Sequence, residues 1–223
     1  MDEERLRQDT ADEPEELQEA ENIEDAEEEK ESSLFDWTRA LIGAVLGVVL
    51  VFLFVAQLIT VQGPSMQNTL YAGDKVIVVK TPLCKIEAGD VVMVKQYNAP
   101  LNDTIIKRVV AVGSKEGVTV DIDFYTGTVY VDGVALEEEY IAERTYMDEG
   151  MQFPVTLEEG QLFLMGDNRN HSTDSRSTML GVVDERYVVG EAVFLLFPGK
   201  SAQYIGELPG TGPREFGRIG LIK

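Results

Sequence analysis

Between Arg39 and Asp74 the chain carries no charged residue. Inside that gap, Leu41 to Ile59 is almost wholly Leu, Ile, Val, Ala, Phe and Gly, with Gln57 as its one polar side chain. As a helix, this run is about 30 Å long, the thickness of a bilayer's hydrocarbon core. Trp37 stands at its leading edge, where an indole favours the membrane interface. A soluble core helix of this length would show a polar face. A cleaved secretory leader would have a short basic lead and a shorter apolar core, whereas this lead is long and acidic. The sequence therefore predicts a retained transmembrane helix over residues 37–60, with the lipid bilayer as a partner. Lys30 and Arg39 precede the run and Lys75 is the next positive charge after it. That asymmetry favours a cytoplasmic N-terminus and an extracytoplasmic main domain in the cell membrane.

The charge of the chain is concentrated ahead of this run. Residues 1–36 hold seventeen Asp and Glu against Arg5, Arg7 and Lys30, a net charge of −14 out of −21 for all 223 residues. Such a segment buries too little apolar surface to offset its ordering entropy. We expect an acidic disordered tail over residues 1–36, although Glu15 to Glu29 also fits a helix that has no apolar stripe. Local acidity argues against nucleic acid as a partner, because phosphate attracts basic surfaces. The single cysteine, Cys84, permits no internal disulfide and reads as a small apolar filler.

From residue 61 the texture changes to short runs rich in Val, Ile, Tyr and Phe, separated by Gly and Asp turns. Residues 76–79, 91–94, 105–112, 118–122, 128–131, 162–165 and 188–197 read as strands of a mainly β, antiparallel domain covering residues 61–198. Asp132-Gly133 is a two-residue hairpin signal. Residues 137–160 are more acidic and irregular and read as an excursion from the sheet. Pro198 and Gly199 close the last clear strand, leaving 199–223 as a partly ordered C-terminal extension.

Three polar features fall within or between these runs. Ser65 follows Gly63-Pro64, about six residues after the apolar segment. Alone, a serine there is more often a turn residue than a nucleophile, and position 67 is Gln, so the G-x-S-x-G elbow is missing. In Ile105-Ile106-Lys107-Arg108-Val109-Val110, alternation puts Ile105, Lys107 and Val109 on one face. A lysine on an apolar face either reaches water along the strand edge or is buried with a lowered pKa, in which case it serves as a general base. Residues 166–176, Gly-Asp-Asn-Arg-Asn-His-Ser-Thr-Asp-Ser-Arg, form a dense polar loop. It lacks the sixth-place Gly and twelfth-place Glu of a hand-type calcium loop. It reads either as a solvated turn or as a hydrogen-bonding scaffold. A Ser65–His171–Asp triad is the alternative catalytic arrangement, His171 being the only histidine.

In this order, the span, GPSMQNTL (63–70), GDVVMVK (89–95), IIKRVVAVG (105–113) and GDNRNHSTDSR (166–176) resemble the motif boxes of bacterial signal peptidase I, over roughly residues 41–198. The resemblance implies a Ser-Lys dyad on packed antiparallel sheets. Ser65 matches the nucleophile and Lys107 the general base. Met66 matches the residue after the nucleophile, and Ser172 a serine that orients the lysine. Asp174 and Arg176 match a structural pair, and Arg108 and Asp167 fall within the same motifs. In some relatives a serine hydroxyl two positions before the nucleophile helps to hold the oxyanion. Gly63 stands there, so a second donor beside the Ser65 N–H would have to be backbone. The chain departs from the family at Asn68, where Pro is usual, at Asn170, where Asp is frequent, and at His171, where Asn is frequent. Eukaryotic and archaeal relatives carry His at the position of Lys107, so the bacterial branch fits better.

The implied activity is a membrane-bound serine endopeptidase that removes signal peptides from secreted preproteins at A-x-A-like sites, with no cofactor or metal. Two other readings stand beside it. One is a membrane-anchored β module that binds a partner. The other is the self-cleaving Ser-Lys fold of SOS-response repressors, which are soluble and carry a DNA-binding domain.

Overall fold

The computed structural model describes residues 13–95, 104–200 and 212–222. The chain divides into two units after Val51.

The first unit is helical. Helix α1 runs Glu13–Phe54, and its stretch Leu34–Phe54 is long and apolar enough to cross a membrane. One expectation is corrected here. α1 begins at Glu13 and takes in Glu15 to Glu29, the stretch that also fitted a helix in the sequence. Glu, Ala, Leu, Gln and Lys are all good helix formers, Pro14 suits the first turn, and extending an existing helix avoids the cost of nucleation. Residues 1–12 lie outside the described residues. At the other end, the helix stops at Phe54 rather than at residue 60. Residues 56–60 are instead a strand, because apolar content alone does not separate the end of a helix from an adjoining strand.

The second unit is built on antiparallel strands. In chain order they are β1 (Ala56–Thr60), β2 (Lys75–Lys80), β3 (Val91–Lys95), β4 (Thr104–Val112), β5 (Val118–Asp123), β6 (Thr128–Val131), β7 (Val134–Ala135), β8 (Val155–Leu157), β9 (Gln161–Met165), β10 (Val183–Asp184), β11 (Val188–Phe197) and β12 (Gly220–Leu221). One sheet has the order β1-β2-β11-β3-β4-β9-β10, with β12 also on β11. A smaller sheet has the order β7-β6-β5-β8. Each of the seven runs expected to be strands is one. Asp132 and Gly133 both have positive φ, 50° and 77°, and they join Val131 to its partner Val134, as a two-residue hairpin turn of this type requires. Three short strands went unforeseen: β8, inside the irregular 137–160, β10, ahead of the run 188–197, and β12, in the C-terminal extension.

Three apolar clusters hold the unit together. Met66, Leu70, Val76, Val78, Val91 and Met93 pack in the first. Val92, Val94, Val109, Leu162 and Leu164 pack in the second. Val110, Ala111, Phe163 and Met165 of the large sheet meet Val120, Ile122, Val129 and Leu157 of the small one in the third. Fully burying one such side chain is worth about 1.5–3 kcal/mol. Position 107 lies in β4 opposite Val92, so it is fixed by a ladder whose neighbours are buried.

Candidate active site

Ser65 sits on a loop whose ends are tied together. Val61 N–H donates to the Asp74 carbonyl at 2.8 Å and Gly73 N–H to the Val61 carbonyl at 2.9 Å, extending the β1–β2 pairing. Met66, next to Ser65, is buried in the first apolar cluster and so pins the turn from below. From the other side, Asn168 N–H donates to the Ser65 carbonyl at 3.0 Å and Asn168 Nδ2 to the Pro64 carbonyl at 3.2 Å. The polar loop 166–176 is thus a scaffold for Ser65 rather than a solvated turn. Gly166 is required there: a Cβ on it would lie 2.4 Å from the Ser65 carbonyl oxygen and 2.2 Å from Ser172 Oγ.

Lys107 is 4% exposed, and its Nζ donates to Ser65 Oγ at 2.7 Å. Burial pulls its pKa down from 10.5 to about 8; Asp174, Glu149 and Asp167 push it back up by attraction, and Arg176 lowers it further. A neutral amine is therefore accessible near neutral pH, with a hydroxyl at proton-transfer distance. Both residues line a groove of about 350 Å³ walled by Ile59, Val61, Met93, Ile105 and Ile106. Among the described residues, β9 pairs with β4 only from Arg108 to Val112, and β1 pairs only with β2. The groove therefore lies between two strand segments that are each sheet-bonded on one side.

Arg108 forms a buried, two-pronged pair with Asp167, Nε to Oδ1 at 2.9 Å and Nη2 to Oδ2 at 2.7 Å. Its Nη1 donates to the Gly89 carbonyl at 2.7 Å, and its guanidinium lies 4.0 Å from the Tyr140 ring centroid. Thr69 Oγ1 also donates to Asp167. Arg176 pairs with Asp174 through Nε and Nη2, both at 2.8 Å, while Asp174 accepts from Gly166 N–H at 3.0 Å. Gly63 has φ 75°, in the left-handed region.

Ser172 departs from expectation. Its hydroxyl is buried and has no hydrogen-bond partner among the described residues, so it does not orient Lys107 in this structure. It packs against Gly166 instead, and the Lys107 bond goes to Ser65. His171 is exposed on a short 3-10 turn. Cys84 is half-buried and points its thiol at the Val79 and Lys80 carbonyls. Sequence reasoning missed Asn168, Gly166, Thr69 and the buried Arg169–Glu138 pair. Asn168 and Gly166 stood in a motif already singled out, but which backbone atoms they serve is a matter of tertiary contact.

The family model described as "Signal peptidase, peptidase S26" matches residues 34–197. The chain belongs to that family. It is 33% identical over 178 residues to the signal peptidase I of Bacillus licheniformis, covering 76% of this chain and 91% of that protein. It is 30% identical over 186 residues to signal peptidase I T of Bacillus subtilis (strain 168), covering 79% and 92%. A solved signal peptidase I from Enterococcus faecalis V583 aligns at 28% identity with a TM-score of 0.38, over 48% of this chain and 97% of that one. For a family member, an apolar helix at Leu34–Phe54 is consistent with membrane anchoring.

Proposed function

We propose that this membrane-anchored peptidase removes signal peptides from preproteins with Ser65 as nucleophile and Lys107 as general base. The observation that carries the residue assignment is the 2.7 Å contact between Ser65 Oγ and a buried lysine whose pKa burial has pulled down. Signal-peptide removal itself rests on family membership.

Neutral Lys107 takes the Ser65 hydroxyl proton as Oγ bonds to the scissile carbonyl carbon. The oxyanion is held by the Ser65 N–H and a second backbone donor near Gly63; one such donor is worth about 3–4 kcal/mol. Collapse breaks the C–N bond, and Lys107 gives its proton to the leaving amine. Lys107 then takes a proton from water as the water attacks the ester; collapse breaks the C–Oγ bond, Lys107 returns that proton to Ser65 Oγ, and the product leaves as a carboxylic acid that ionises in water. Ser172, whose buried hydroxyl has no partner among the described residues, is the serine that the family resemblance assigns to orienting Lys107. Arg108–Asp167 and Asp174–Arg176 hold the loops that carry the dyad.

An extended peptide fits the groove, since half-paired strands on both sides offer backbone hydrogen bonds. Small side chains of the A-x-A kind are the substrate residues that the resemblance to signal peptidase I implies for it. A cytoplasmic N-terminus follows from Lys30 and Arg39 ahead of the span; it leaves the β unit outside, where translocated preproteins present their cleavage sites.

The test is cleavage of a preprotein in detergent by wild type, Ser65→Ala, Lys107→Ala and His171→Ala. Loss with the first two and retention with the third supports the dyad. Loss with His171→Ala and activity in Lys107→Ala would replace it with a histidine triad.

A further inference from the structure

Arg218 lies beyond the residues that the family model matches, yet it reaches the loop that carries Ser65. Its Nη2 and Nη1 donate to the Asp74 carboxylate at 2.6 and 3.2 Å. Nη2 also donates to the Thr69 carbonyl at 2.9 Å, and the guanidinium lies 4.3 Å from the Tyr71 ring centroid. Asp74 is fully buried and also accepts from the N–H groups of Tyr71 at 2.8 Å and Gly199 at 2.6 Å. The C-terminal segment that delivers Arg218 is itself fastened: β12 pairs with Phe194 and Leu195 of β11, and Ile222 N–H donates to the Val193 carbonyl at 3.0 Å.

Thr69 is therefore gripped twice, its hydroxyl by Asp167 and its carbonyl by Arg218. One turn back, Leu70 N–H donates to the Met66 carbonyl at 2.7 Å, and Met66 adjoins Ser65. The nucleophile loop is thus bracketed by two arginine–aspartate pairs, Arg108–Asp167 on one side and Arg218–Asp74 on the other.

We propose that Arg218 is a positioning residue for the Ser65 nucleophile, acting through Thr69 and Asp74 from the C-terminal end of the chain. The inference rests on the reading of Ser65 given above. A forked guanidinium serves a carboxylate and a carbonyl together, which a lysine ammonium does not reproduce. Displacing a reacting atom by about 1 Å costs up to about a hundred-fold in rate.

The experiment uses the full chain in detergent micelles with a preprotein substrate, comparing Arg218→Ala and Arg218→Lys with wild type, at temperatures well below each variant's melting midpoint. The expected result for Arg218→Ala is a fall in kcat of about ten- to a hundred-fold, with KM within about two-fold. Arg218→Lys recovers part of the loss. The acid limb of the pH profile stays in place, because the charged groups around Lys107 are Asp174, Glu149, Asp167 and Arg176, not Arg218. The proposal is overturned if folded Arg218→Ala keeps its kcat, if the loss sits in KM, or if it vanishes once the variant is fully folded. Should Arg218→Ala fail to fold, Arg218→Lys decides by the same criteria. Ser65→Ala separates the two readings: activity in Ser65→Ala removes the nucleophile assignment itself, whereas a dead Ser65→Ala beside an unimpaired Arg218→Ala removes only this inference.

Discussion

Lys107 and Ser65 are 42 positions apart in the chain, and Lys107 Nζ lies 2.7 Å from Ser65 Oγ. The contact depends on two independent supports: the β3–β4 ladder that sets Lys107 opposite Val92, and the loop 166–176 that holds the Ser65 carbonyl through Asn168.

In the proposed mechanism Lys107 must be neutral to act. With the Lys107 pKa lowered to about 8, kcat/KM rises with pH through an acid limb centred near 8 and falls away below it. A pH–rate profile on a preprotein checks this.

Holding the ammonium in the fold is costly. The folded pKa of about 8 lies below the ordinary 10.5. Between those values the unfolded chain binds more protons, so stability rises with pH across that window. Below it the penalty is constant, on the order of 3 kcal/mol. Lys107→Met, of similar length, is expected to be inactive and more stable than wild type at pH 7, with the advantage shrinking as pH approaches 10.5. Denaturant melts at pH 7 and 10 measure the difference.

Gly166→Ala places a methyl group against the Ser65 carbonyl oxygen, 2.4 Å away. Overpacking of this kind costs about 1–3 kcal/mol. Because the clash falls on Ser65, the loss of kcat should exceed what the lowered melting temperature explains. Wild-type kcat in Gly166→Ala would show that the loop yields without moving the nucleophile.

Arg108→Ala leaves the Asp167 carboxylate buried and without its guanidinium. Breaking such a pair costs about 3–5 kcal/mol, far more than the loss of an exposed pair such as Lys85–Glu87, which is worth about 0–1 kcal/mol. Chemical denaturation of Arg108→Ala beside Lys85→Ala tests the contrast.

The sequence by itself determined the apolar span, the strand runs, the Asp132-Gly133 hairpin and the set of motifs that marks the family. Each depends on local chemistry: uninterrupted apolar length, residues that suit a pleated surface, and a turn that needs positive φ. Tertiary structure alone decided where the helix ends, since Ala56–Thr60 continues the uncharged run, with Gln57 and Thr60 as its polar residues, and becomes a strand where Lys75–Lys80 pairs with it. It also decided that Lys107 is buried rather than reaching water, that Ser172 turns to Gly166 rather than to Lys107, and that Arg218 grips Thr69 from 149 positions away. These outcomes rest on burial and on partners distant in the chain, and no local pattern carries that information.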